Sequence, residues 1–78
     1  MTKSVRLSDL KPDDKCRVLK VDASGSIKRR IQDMGIVKGT VIEIERVAPF
    51  GDPVEVKLRQ YHLSLRKDEA KTIMVEKV

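Results

Sequence analysis

Apolar residues recur along this chain with two different periods, and the change of period divides it. The opening is irregular: Leu7-Ser8-Asp9-Leu10 followed by Lys11-Pro12-Asp13-Asp14 predicts a short helical turn, then a Pro/Asp loop. Cys16 to Val21 reads as a strand, with Cys16 and Val18 on one face and Arg17 on the other. Asp22-Ala23-Ser24-Gly25-Ser26 is a loop ending in residues suited to cap a helix. Ile27, Ile31 and Met34 then recur at i, i+4 and i+7, one face of a helix from Ser26 to Met34. Gly35 stands where a helix needs a left-handed terminal residue.

From Gly39 the period is two. Ile42 and Ile44 alternate with Glu43 and Glu45; Val54, Val56 and Leu58 alternate with Glu55, Lys57 and Arg59. Tyr61, Leu63 and Leu65 alternate with His62, Ser64 and Arg66, and Ile73 and Val75 close the pattern. Lys67-Asp68-Glu69-Ala70-Lys71 is polar and helix-prone, a turn of helix before the last strand. Three alternating runs with short connections predict an antiparallel meander with one solvated face. A sheet of about five short strands must curl on itself to cover its apolar face. The expectation is a mainly β fold, a small barrel of about five antiparallel strands. One short helix follows the first strand, plugging or flanking the barrel, and one or two helical turns are added. Residues 1–78 make one domain.

Composition narrows the chemistry. The core must be aliphatic, because Phe50 and Tyr61 are the only aromatic residues. No apolar run approaches the roughly 18 residues a membrane span needs, and Met1 to Leu7 lacks the apolar stretch of a secretion signal. A cytosolic setting is expected. Cys16 is the single cysteine, so no internal disulfide forms and no thiolate zinc cluster can be built. The formal charge of +5 raises the question of a polyanionic partner, but acids and bases are interleaved over most of the chain. Lys28-Arg29-Arg30 is the one three-residue basic block.

Four segments, taken in order, carry a resemblance. Leu7, Leu10 and Pro12 form a Leu-x-x-Leu-x-Pro opening, and the helix ends Asp33-Met34-Gly35-Ile36, with Lys38-Gly39 after it. Ala48-Pro49-Phe50-Gly51-Asp52-Pro53 runs into Val54-Glu55-Val56, and His62-Leu63-Ser64-Leu65-Arg66-Lys67-Asp68-Glu69-Ala70 follows. Together they resemble the FeoA family, the small cytosolic accessory of bacterial ferrous iron transport, over nearly the whole chain. The resemblance implies an SH3-like barrel with added helices, placed in the cytoplasm or held at the inner membrane through its partner. The implied partner is the cytosolic part of FeoB, the membrane permease that carries a GTP-binding domain. A related module occurs in metal-dependent repressors of the DtxR type, so a metal-repressor-like interaction domain is an alternative. Gln60 departs from the family, which commonly has Gly there. A positive φ at that position would strain Gln60 by about 1 kcal/mol.

Candidate functional residues are few. His62, the only imidazole, points outward by alternation and has no Cys or His neighbour with which to bind a metal. Cys16 shares the apolar face with Val18 and reads as a buried structural thiol. The glycines are scattered at turns, outside any phosphate-binding pattern. No catalytic residue, cofactor or metal ligand is therefore assigned, and the chain is expected to act by touch rather than turnover. Lys28, Arg29 and Arg30 fall early in the helix, where the macrodipole disfavours cations. They are either a solvated face, with Asp33 paired to Arg29 or Arg30, or a basic face that steers a partner. Pro49, Phe50, Gly51, Asp52 and Pro53 form a stiff loop that either presents Phe50 as an anchor or folds it back to cap the barrel end. With two aromatics in all, folding back is favoured. The cleft between the helix and the strand pair around the Pro49–Pro53 loop is the expected docking place. The charge also admits a small-barrel nucleic-acid binder, for which Phe50 is the one stacking platform, and an open strand edge would allow a homo-oligomer.

Overall fold

Each run with an apolar period of two becomes a strand, and the strands bury one face together. The computed structural model describes residues 3–78. Its elements are β1 (Ser4–Arg6), a 3-10 turn (Leu7–Asp9), β2 (Lys15–Val21), α1 (Gly25–Asp33) and β3 (Val41–Val47). They continue with β4 (Val54–Leu58), β5 (Tyr61–Leu65), α2 (Lys67–Ala70) and β6 (Ile73–Lys77). All pairings are antiparallel, in one sheet of order β1-β6-β2-β3-β4-β5. The count is six strands rather than about five. The addition is β1, which has three residues and a single apolar one, Val5, so it carries no period to read.

The meander β2-β3-β4-β5 follows the predicted order, and β6 returns to lie between β1 and β2. Register shifts between Val18 and Lys20 on β2 and between Ile44 and Arg46 on β3 mark irregularities that bend a sheet and increase its twist. The inner faces meet in an aliphatic core: Ile42, Ile44, Val56, Leu65, Ile73 and Val75 have no exposed surface, and neither has Cys16. Phe50 and Tyr61 lie outside it.

Helix α1 flanks this core instead of plugging it. Of its predicted stripe only Ile31 is fully buried; Met34 is half-buried and Ile27 is 42% exposed. The helix is fixed mainly at its C-terminal end. Gly35 follows it with φ +86°, and a Cβ there would lie 2.5 Å from the Tyr61 Oη. That hydroxyl donates to the Met34 carbonyl at 3.0 Å, satisfying an acceptor the helix end would otherwise leave open. The β4–β5 hairpin turns through Arg59 and Gln60. Its positive φ, 56°, falls on Arg59 and not on Gln60, so the strain expected at Gln60 lies one residue earlier.

Candidate docking surface

The three basic residues of α1 divide into two kinds. Lys28 and Arg29 are exposed and make no ion pair among the described residues, whereas Arg30 is committed. Its Nε lies 2.9 Å from Glu69 Oε2 on α2, and the other carboxylate oxygen of Glu69 accepts the Arg66 backbone N–H at 2.9 Å. Glu69 is only 5% exposed. A buried carboxylate needs a partner, so Arg30 stabilises the α1–α2 arrangement. The expected pairing of Asp33 with Arg29 or Arg30 does not form; Asp33 instead lines a recess of about 490 Å³ with Gly25, Ser26, Arg29, Arg30 and Met34.

The loop from Pro49 to Pro53 joins β3 to β4. Phe50 does not fold back over the barrel end: it is 90% exposed. The reason is the backbone. The Gly51 N–H donates to the Ala48 carbonyl at 2.7 Å, with Gly51 at φ +78°, and the Ala48 N–H donates to the Pro53 carbonyl at 3.1 Å. These bonds close a tight turn with Phe50 at its tip. Asp52 Oδ1 then accepts the Lys67 N–H at 3.2 Å, which pins the loop to the start of α2. Loop and helix α1 are thus linked through α2, by Asp52 to Lys67 and by Glu69 to Arg30. What projects from these linked elements is one aromatic ring on a braced loop, and two unpaired cations on a braced helix.

The remaining candidates are ordinary parts of the fold. His62 is exposed, with Nδ1 2.6 Å from Glu45 Oε1. Burial pushes the Cys16 thiol up to about 11. Among the described residues no group of three or more His, Cys, Asp or Glu side chains is placed to hold a metal. No helix among them is long and apolar enough to cross a membrane. Sequence reasoning missed Glu69 and Tyr61. Glu69 supplies one half of a capping box, accepting the Arg66 N–H, and an arginine at the cap position, with no acceptor of its own, hides that signal, which is ordinarily read from Ser, Thr, Asp or Asn.

Comparison with known proteins adds a family. The FeoA domain model matches residues 5–77. A FeoA-like protein from Clostridium acetobutylicum, solved by NMR, is 47% identical and superposes with a TM-score of 0.90, covering 100% of this chain and 91% of that one. FeoA from Stenotrophomonas maltophilia, solved in complex with zinc and described as a prokaryotic SH3 domain protein, is 31% identical. Its TM-score is 0.79, over 91% of this chain and 88% of its own. The SH3-like architecture expected from the sequence is therefore the one observed. A protein of Porphyromonas gingivalis, a fusion of Fe(2+) transport protein A with the Fe(2+) transporter FeoB, is 38% identical over 72 residues. That match takes in 92% of this chain and spans 8% of the fusion's length.

Proposed function

This chain belongs to the FeoA domain family, and from that membership we propose that it is a non-enzymatic accessory of ferrous iron uptake, acting by binding the cytosolic part of a FeoB-type permease. The observation that carries the reading is the relative in which a segment like this one is continuous with FeoB. Joining two domains in one chain raises their effective concentration for each other, which is useful where the separate modules must meet. A cytoplasmic location, peripheral at the membrane through the permease, goes with this reading.

The docking surface that fits it combines Phe50, held out by the Pro49–Pro53 loop, with Lys28 and Arg29 on α1. Exposed aromatics on rigid loops make effective anchors, since little side-chain freedom is lost on contact. Unpaired cations beside them raise the on-rate toward an acidic partner. Arg30 supports this surface from within. Docking would bias the permease by binding one of its states better than another.

The test is retention of the permease's GTP-binding domain by wild type, Phe50→Ala, and a Lys28→Glu/Arg29→Glu double variant that spares Arg30. Phe50→Ala should cost about 2 kcal/mol of binding, and the charge variant should slow association and flatten its salt dependence. Equal retention by all three removes this surface; no retention by wild type removes the partner. Tight, sequence-selective binding of RNA or DNA at physiological salt would favour the nucleic-acid alternative instead.

A further inference from the structure

A second surface, on the outer face of the sheet and independent of the reading above, carries its own arrangement of charge. Strand register sets Lys15 on β2 opposite Glu43 on β3, and Glu43 opposite Lys57 on β4. Two residues along, on the same face, come Val41 and Arg59. With Gly39 and Thr40 these side chains line a recess of about 380 Å³. Its floor is fixed: the Thr40 hydroxyl donates to the Gly35 carbonyl at 3.3 Å and accepts the Val37 N–H at 3.2 Å. Val41 leaves 47% of its surface uncovered there.

The charges around it are unspent. Arg17 on β2, Arg46 on β3 and Lys77 on β6 are each paired, to Glu76, Glu55 and Asp14. Lys15, Lys57 and Arg59 are exposed and in no ion pair among the described residues, although Glu43 stands between the two lysines in the register. The recess therefore holds three cations against one carboxylate. The two-residue β4–β5 turn, which needs a positive φ at a central residue, gives Arg59 its φ of 56° and sets it among the residues lining the recess.

We propose that this recess binds an acidic protein segment in which two carboxylates flank an apolar side chain. Lys15 and Lys57 stand two strands apart, about 10 Å, which is roughly the rise of three residues of polyproline II chain, a conformation whose three residues per turn bring side chains i and i+3 to one face. Carboxylates with that spacing meet both lysines, while an apolar side chain between them leans to the side, toward Val41, two residues along β3 from Glu43. Glu43 selects against a phosphate track, because it sets a negative charge midway between the lysines. A peptide can turn a backbone N–H toward it. Arg59 adds a forked donor suited to a carboxylate at one end.

A titration of the isotope-labelled full chain with a peptide of four Glu-Leu-Ala repeats, followed by amide shifts at physiological salt, tests this. Controls are the Gln-Leu-Ala counterpart and a single-stranded thymidine oligomer of equal length. Shifts should concentrate at Lys15, Thr40, Val41, Glu43, Lys57 and Arg59. Lys15→Gln/Lys57→Gln should weaken binding about fivefold, and Glu43→Gln should tighten it about twofold, since it removes a like charge. Lys3→Gln/Lys20→Gln, an equal change of net charge at exposed lysines outside the recess, should leave it unaltered. Each variant's dispersed amide spectrum verifies folding. The proposal is overturned if the glutamine peptide or the oligomer shifts the same amides equally well. It is overturned too if the Lys3/Lys20 variant weakens binding as much as the Lys15/Lys57 variant, or if nothing shifts. None of these results bears on the permease, which is absent from the experiment.

Discussion

Replacing Arg30 by methionine removes a guanidinium but keeps an unbranched side chain, and it should unsettle the protein through Glu69. The Glu69 side chain is 7% exposed and its Oε2 has Arg30 Nε at 2.9 Å, while Arg30 itself is 56% exposed. A hydrogen bond to a charged group contributes about 1.5–3 kcal/mol. Solvent around the half-exposed guanidinium screens the pair and puts the expected loss at the low end, about 1.5 kcal/mol. For a chain of this size that lowers Tm by roughly 6–12 °C. Arg29→Met makes the same chemical change one residue away, where no carboxylate depends on it, and should cost no more than about 0.5 kcal/mol. Urea unfolding of both variants measures the difference. A double-mutant cycle with Glu69→Gln should return a coupling of about 1 kcal/mol. Coincident urea midpoints for the two arginine variants, or a coupling indistinguishable from zero, would refute the structural role given to Arg30. It would then rejoin Lys28 and Arg29 as a cation available to a partner.

Two further outcomes follow from the packing. Gly35→Ala should cost more in wild type than in a Tyr61→Phe background, because the added methyl meets the Tyr61 Oη at 2.5 Å and the second change removes that atom. Tyr61→Phe alone should cost about 1 kcal/mol for the lost bond to Met34, and equal costs for Gly35→Ala in both backgrounds would mean the hydroxyl is not where the helix ends. The Cys16 thiol, raised from 9.0 to about 11 in the fold by burial, is an acid whose folded pKa lies above its unfolded one. Its contribution is thus complete below pH 9 and is lost as pH climbs toward 11. Chemical denaturation across that window should show stability falling in wild type more steeply than in Cys16→Val, and parallel curves would contradict it.

The sheet was legible because alternation is a direct record of which face is wet: Ile42, Ile44, Val54, Val56 and Leu58 are all buried at the alternate positions. β1 escaped because three residues hold less than two full periods. The helix stripe misled at Ile27, since periodicity says which residues share a face but not how far along its length a helix rests on its neighbour. Within the candidate docking segments, Phe50 and Arg30 differ from expectation. Phe50 was expected to fold inward on grounds of scarcity, yet the core filled with aliphatic side chains and the Ala48–Gly51 turn decided the direction of the ring. Arg30 looked like its neighbours in sequence, and only the long-range contact with Glu69, 39 positions away (69 − 30), separates it from them.

The position of β6 has a consequence for how the molecule is made. Among the described residues, Ile73–Lys77 follows every other strand in the chain, yet it is an interior member of the sheet and the partner of β1, the earliest of them. While a ribosome is still adding these residues, Ser4–Arg6 has nothing to pair with and the edge of β2 stands open. A nascent chain can assemble the β2-to-β5 hairpins early, but completion waits for residues 73–77 to clear the exit tunnel. Loss of those residues would leave a sheet with a gap in its middle.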